Sequence, residues 1–293
     1  MNSFGPPYPF SLPTNAKVAL LPSVVFELWL DGQTPGKNLP GGFISANIAL
    51  DTRDLRIEKM IEFGGRTGMW RLLEVLEQEQ VRCSVLATGR ACEVHSEIVQ
   101  EYHRLGHEIT AHSYTEDVSS YDFRDPEDER ANIRRTADVI ERVTGERPTG
   151  WISPRATPGE HTARLLVEEG FVWSGDYPDD ELPYVMDVQG KRLVVLPYSG
   201  LAVNDYQVTL VEGSWPGVYV EEFQRTLEFL LEQYRLTGRP GVLRTSVHAH
   251  VYGRSWGRWA FRDAIRCARH AGSDVWIGTR DALAKHILEQ DGG

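Results

Sequence analysis

The sequence predicts an α/β fold of about seven βα units with a small β insertion, either a parallel (β/α) barrel or a doubly wound sheet. Three observations predict it. Apolar runs of strand length alternate with segments whose apolar residues recur at helical spacing. The 293 residues, 41% hydrophobic and 25% charged, suffice for one such barrel with extensions, and no repeat, low-complexity tract or linker marks a second domain. Ionisable residues gather just after the strand-like runs, where a parallel barrel carries its active groups.

Residues 1–16 hold four prolines with Phe4, Tyr8 and Phe10, and read as an arm lying on its own or a neighbouring subunit; the domain proper is 17–293. Val18–Phe26 is an apolar run ending at Glu27, with Pro22 arguing for a bulge or a sheet edge. Asp31–Gly65 is rich in glycine and proline, long for a connection, and reads as a functional loop with a short strand at Ser45–Leu50. Met69, Leu72, Leu73 and Leu76 then place a helix over Arg66–Gln80, followed by a strand at Cys83–Ala87. The alternation continues with helix Glu93–Leu105, strand Glu108–Ala111, helix Pro126–Val143, strand Gly150–Ser153, helix Glu160–Glu169 and strand Phe171–Ser174. Asp176–Gln207 interrupts it as the β insertion, with a strand at Arg192–Leu196. It resumes with helix Val218–Leu236, whose Val220, Phe223, Leu227, Leu230 and Tyr234 form one stripe, then strand Val242–Val247, helix Trp256–His270, strand Asp274–Ile277 and helix Arg280–Leu288.

A formal net charge of −11 argues against nucleic-acid or anionic-membrane partners and suits a small neutral or cationic substrate. Cys83, Cys92 and Cys267 are odd in number and lack CxxC spacing, so neither a disulfide framework nor a thiolate zinc site is expected. With no signal-like start and no apolar run of membrane-spanning length, a cytoplasmic address is expected. GxSxG, GxxxxGK[ST] and HExxH are all absent, which leaves serine hydrolases, P-loop enzymes and zincins without support.

The stretch GHEITAHSYTEDVSSYD, Gly106–Asp122, delivers His112, Ser113, Thr115, Glu116 and Asp117 within six positions. His112 and Glu116, four apart, could form a ligand pair if the stretch turns helically; alternatively Ser113, Thr115 or Asp117 caps a helix and His112 is a bonded strand-end histidine. Other strand ends bring Glu27, Arg155, the Asp176, Asp179 and Asp180 group, His248 and His250, and the insertion adds Asn204 and Asp205. Such a gathering suits hydrolysis by general acid and base.

Five blocks, EFGGRTGMWRLLEVLEQ, GHEITAHSYTED, WISPRATPGEHTARLLVEEGF, SGDYPDDELPY and VHAHVYGRSWGR, resemble in this order the polysaccharide deacetylase superfamily, carbohydrate esterase family 4-like. The likeness covers roughly residues 17–290 and is strongest to the branch of metal-independent allantoinases and intracellular peptidoglycan-deacetylase-like proteins. It implies a distorted, TIM-like (β/α) barrel of about seven parallel strands and hydrolysis of a non-peptide amide. Glu27 stands at the first acidic motif, where the deacetylases have Asp; His112 matches the first metal histidine, and Glu116 replaces the second. Arg155 matches the arginine that orients the catalytic carboxylate, His248 the general acid, and Asp176 and Asp179 the segment supplying an aspartate to hold it. His112, Asp180, Asn204, Asp205 and Trp29 are expected to contact substrate.

If a divalent, zinc-like metal binds, Glu27, His112 and Glu116 are its ligands. A metal-free site is the preferred reading, because oxygen ligands in place of imidazole weaken selectivity for zinc. Asp51 and Asp205 are the next carboxylates in line should Glu27 not be the base. The expected substrate is a small amide, cyclic imide or ureide; the alternatives are an N-acetyl sugar, peptidoglycan or chitin deacetylase, and an inactive sugar-binding relative. A homo-oligomer, a tetramer by resemblance, is expected to trade contacts through the N-terminal arm.

Overall fold

The computed structural model describes residues 8–31, 53–198 and 203–292. The Ser45–Leu50 strand, Asp51 and Phe4 lie outside them. In chain order the elements are β1 (Val18–Phe26), α1 (Leu55–Phe63), α2 (Met69–Gln78), β2 (Ser84–Ala87), α3 (Gly89–Val94), α4 (Ser96–Arg104), β3 (Glu108–Ala111), α5 (Pro126–Thr144), β4 (Gly150–Trp151), α6 (Thr162–Glu168), β5 (Trp173–Ser174), β6 (Tyr184–Val188), β7 (Lys191–Val195), α7 (Pro216–Thr237), β8 (Gly241–His248), α8 (Arg258–His270), β9 (Val275–Ile277) and α9 (Arg280–Asp291). The expected elements are present within a few residues, and two differences stand out. The Arg66–Gln80 helix begins as a π-helical segment at Gly64–Gly68, continuous with α1, so the end of the Gly/Pro-rich passage is helix. The Glu93–Leu105 helix is two, broken at His95.

The strands form one curled sheet in the order β6-β7-β5-β4-β3-β2-β1-β8, with β9 also on β1. Every pairing is parallel except the β6–β7 hairpin, which is the β insertion. This is the distorted, TIM-like barrel, an incomplete one. Ala19, Leu21 and Val25 of β1 face inward with Leu86, Ile152, Trp173, Val194, Leu196 and Val242, while Val18, Leu20, Val24 and Phe26 face the helical layer. Leu12, 2% exposed, joins the inward cluster, and Tyr8 bonds the Pro183 carbonyl at 3.0 Å, so the described part of the arm packs on its own chain.

Pro22 marks neither an edge nor the loss of a partner. β1 is central, pairing with β8 from Val18 to Val25. On its other side β9 ends opposite Leu20 and β2 begins opposite Ser23. Leu20 and Phe26 direct their carbonyls to that side, to Gly278 and Thr88, and Pro22 shares their parity, so its missing N–H falls in the gap between two strands.

The helices end where their sequences dictate. Asp125 caps α5 by accepting from Glu127 N, Pro126 occupies its first turn, and Gly145 closes it at φ 81°. Gly68 has a different reason: a Cβ there would lie 2.0 Å from the Ala249 carbonyl oxygen, so only glycine lets the π segment seat against the loop after β8.

Candidate active site

Parallel pairing brings the C-terminal ends of β1, β3, β4 and β8 to one face, and loop hydrogen bonds then set their side chains. His112 N–H donates to the Ala87 carbonyl and Glu116 N–H to the Leu28 carbonyl, both at 3.1 Å, pinning the loop after β3 to its neighbours. Thr88 Oγ1 accepts from Leu28 N–H at 3.0 Å. The loop does not turn helically: Ser113 sits in the left-handed region at φ 60°, an uncommon conformation for a non-glycine residue. His112 and Glu116 nevertheless converge, with Glu116 Oε2 3.1 Å and Glu27 Oε1 3.3 Å from His112 Nε2.

All three side chains are nine-tenths or more buried. His112 Nδ1 lies 2.6 Å from the Ile152 carbonyl oxygen, which can only accept, so Nδ1 carries a proton and Nε2 faces the carboxylates. Burial opposes charge on His112, but Glu116 and Glu27 outweigh it and hold its pKa well above the ordinary value. Burial would raise the Glu27 pKa, and the His248 and His112 imidazoles more than reverse it, leaving Glu27 lowered. Glu116 goes the other way, raised by burial and by the Glu27 charge against the pull of His112 and Arg155.

His248 faces this cluster from β8, its Nε2 3.8 Å from Glu27 Oε1. Asp205 holds it twice: Oδ1 lies 2.7 Å from Nδ1, and Oδ2 accepts the His248 backbone N–H at 2.8 Å. Burial works against the imidazolium, but Asp205 and Glu27 raise the His248 pKa. The Tyr206 ring lies 5.3 Å from the His248 ring. His250, 2% exposed, stands edge-on to Trp29 at 6.2 Å, its pKa lowered to about 3 by burial and then by His248. Tyr206 was missing from the expected site, and His250, recognised there as a strand-end residue, had been given no role. The HAH spacing, which turns both histidines to one side of the strand end, was the available signal for a role of His250 beside His248.

The aspartate holding His248 is therefore Asp205, not Asp176 or Asp179. Asp176 is fully buried behind the site and accepts from Ser153 N–H at 2.7 Å and from Ser153 Oγ. Asp179 and Asp180 are exposed on the next turn, where Asp179 accepts from Tyr184 Oη at 2.9 Å and Asp180 from Leu182 N–H at 3.0 Å; they line a cavity of about 650 Å³ beside β8 and do not join the cluster. Arg155, exposed at φ 59°, donates to Ser119 Oγ at 2.7 Å; the carboxylate it influences is Glu116 rather than Glu27. Asn204 accepts from Tyr206 N–H at 2.9 Å and bridges to Ser246, so it ties the Asp205 segment to β8. Asp205, expected to touch substrate, is committed to His248. No residue of Ser113, Thr115 and Asp117 caps a helix; Asp117 accepts from Leu30 N–H at 2.8 Å.

Glu27, His112 and Glu116 offer ligand atoms within 4.8 Å of one another. Glu116 Oε2 is buried without a hydrogen bond, and Nδ1–H donation by His112 to a carbonyl is the arrangement of metal-bound histidines. The residues thus fit a divalent cation of the kind carboxylate and imidazole ligands hold.

An incomplete parallel barrel that gathers carboxylates and histidines at its strand ends is an arrangement suited to hydrolysis by general acid and base. Residues 51–172 match the polysaccharide deacetylase family model. A Schizosaccharomyces pombe protein bearing that family's name is 26% identical over 250 residues, 80% of this chain and 76% of its own. A Helicobacter pylori peptidoglycan deacetylase is 28% identical over 153 residues, 52% of this chain and half of its own. Among solved structures, a Pseudomonas aeruginosa protein with the polysaccharide deacetylase name (TM-score 0.84) and the Puue allantoinase (TM-score 0.83) are each 26% identical, covering 98% of this chain and 95% of their own. His112, Glu116 and Arg155 fall within the matched family segment; Glu27, Asp205 and His248 are brought to it by the fold. Among the described residues no helix is long and apolar enough to cross a membrane.

Proposed function

We propose that this chain hydrolyses a C–N bond of a small amide, cyclic imide or ureide, with Glu27 activating water and His248 protonating the leaving nitrogen. The observation that carries the reading is the Glu27 carboxylate set between two imidazoles, 3.3 Å from His112 and 3.8 Å from His248. A carbonyl carbon above Glu27 meets the water on one side and the His248 acid on the other. Asp205 fixes the proton on Nδ1 of His248 and favours the imidazolium, so a second proton stands on Nε2 for delivery. The proton taken from water stays on the Glu27, His112 and Glu116 cluster, where the raised Glu116 carboxyl can hold it. Were a divalent metal bound by these three residues, it would add Lewis-acid polarisation of the water or the carbonyl.

The near-complete burial of Glu27, His112, Asp205 and His248 supports a small substrate over a polymer laid along an open groove, and the likeness to an allantoinase supports a ring amide. The test is a panel of cyclic imides, ureides and N-acetylglucosamine oligomers, each with and without a chelator. Turnover of a ureide or imide that survives chelation is expected. Turnover of N-acetyl sugars alone, abolished by the chelator, would replace this reading with a metal-dependent deacetylase, and inertness towards the whole panel would refute it.

A further inference from the structure

A buried carboxylate with no cation beside it needs a reason, and Asp176 is one. It is fully buried, and among the described residues no lysine, arginine or histidine forms an ion pair with it. Burial pushes its pKa up to about 6, against the opposing effect of its bonds to Ser153. Taking a carboxylate out of water in this way costs several kcal/mol before its hydrogen bonds are counted. A serine or asparagine could satisfy the same donors more cheaply.

The hydrogen bonds around Asp176 show what it faces. Asp176 Oδ1 accepts the N–H of Ser153 at 2.7 Å. The carbonyl oxygen of Ile152 accepts the Nδ1–H of His112 at 2.6 Å. That carbonyl and that N–H belong to one peptide unit, which therefore has a carboxylate at one end and the imidazole at the other. The approach is built in: Gly175 N–H donates to the Trp151 carbonyl at 2.9 Å, and a Cβ on Gly175 would lie 2.6 Å from Ile152 Cγ1. Asp176 N–H also donates to Ser174 Oγ at 3.2 Å, which fixes the carboxyl's own backbone.

We propose that Asp176 is a positioning residue that sets the orientation of His112 and keeps its Nδ1–H donating through the Ile152–Ser153 peptide. A negative charge at the N–H end polarises the amide and strengthens its carbonyl as an acceptor, as hydrogen-bonded chains strengthen one another. The carbonyl then holds the proton on Nδ1 and aims Nε2 at Glu27 and Glu116. Direct carboxylate–histidine pairs fix ligand histidines in the same sense; here an amide is interposed, and Asp176 touches neither substrate nor cluster. Ser153 Oγ is a second donor to Asp176, outside the chain of bonds to His112.

The inference rests on His112 serving the proposed site, and its first readout needs no turnover. In ¹⁵N-histidine-labelled wild-type protein, His112 should show a protonated Nδ1 with a strongly downfield proton. In Asp176→Asn, which keeps shape and an acceptor but not the charge, that proton should move upfield, and kcat on the substrate found by the panel should fall about 10- to 100-fold with KM changed less than about threefold. Ser153→Ala, which spares the bond to the peptide, should stay within about threefold of wild type. An unprotonated Nδ1 in wild type overturns the proposal without any variant. So does an Asn variant with unchanged resonance and rate, or a Ser153→Ala variant that shows the whole loss. If the panel yields no substrate, the resonance still decides this point separately from the hydrolase reading.

Discussion

Asp205→Asn isolates the support of His248. The aspartate receives two donors, Nδ1–H at 2.7 Å and the backbone N–H at 2.8 Å. An asparagine has one acceptor oxygen for the two. If that oxygen keeps the backbone N–H, the amide NH₂ faces Nδ1 and demands a lone pair there, driving the imidazole to its Nε2–H neutral tautomer. The charge-assisted bond to the imidazolium, about 1.5–3 kcal/mol, is lost, which corresponds to roughly 10- to 150-fold in the acid-dependent step. His248 acts while protonated, and Asp205 raises its pKa, so activity is present below that pKa and falls as pH rises through it. In Asp205→Asn the alkaline fall should begin at lower pH, with kcat reduced and KM little changed. The assay is kcat against pH on the substrate the wild type turns over. An alkaline limb in its wild-type position with a wild-type rate would refute the assignment of Asp205 and remove the argument for His248 as acid.

Much of the barrel was legible because strand-length apolar runs and helical stripes report burial directly. The Asp176–Gln207 interruption was recognisable, but not that β7 joins the main sheet beside β5, since long-range pairing leaves no local periodicity. The Gly64–Gly68 π segment was hidden because glycines that read as loop serve a close contact with Ala249. At the site, Glu27, His112, Glu116 and His248 converge because each follows or ends a parallel strand. Asp179 and Asp180 do not, since three and four residues beyond Asp176 the chain has turned out to solvent. Asp205 was legible as a site residue, but its partner was not: a contact 43 residues away is set by the bridge between Asn204 and Ser246. Pro22 misled because a missing donor says only that no bond is made, and a gap between β9 and β2 meets that need as well as an edge does.

Three further outcomes are expected. Glu116→Gln should lower kcat by about 10- to 100-fold and remove any gain from an added divalent metal, seen in turnover with and without zinc; an unchanged rate and metal response would take Glu116 out of the cluster's work. Leu12→Ala, removing a side chain packed against the barrel's inward cluster, should cost about 2–5 kcal/mol in urea unfolding, and a loss under about 0.5 kcal/mol would mean the arm only lies on the surface. His107 is 2% exposed, accepts from Cys83 N–H at 3.2 Å and has its pKa lowered to about 4 by burial, so the unfolded chain binds its proton first and stability should fall as pH drops from about 6.5 towards 4. His107→Gln should flatten that fall between pH 7.5 and 5.0, and an identical fall in both proteins would place the acid sensitivity elsewhere.

The most direct test of an acid and a base acting on one bond is a rate cycle over Glu27→Gln, His248→Ala and the double variant. Each single change should lower kcat/KM by about 10²–10⁴ in protein that an unfolding curve shows to be folded at the assay temperature. Groups that work as a unit are not additive, so the double variant should be no slower than the slower single one within a few-fold. Losses that multiply, or a wild-type rate in either single variant, would contradict the pairing of Glu27 with His248.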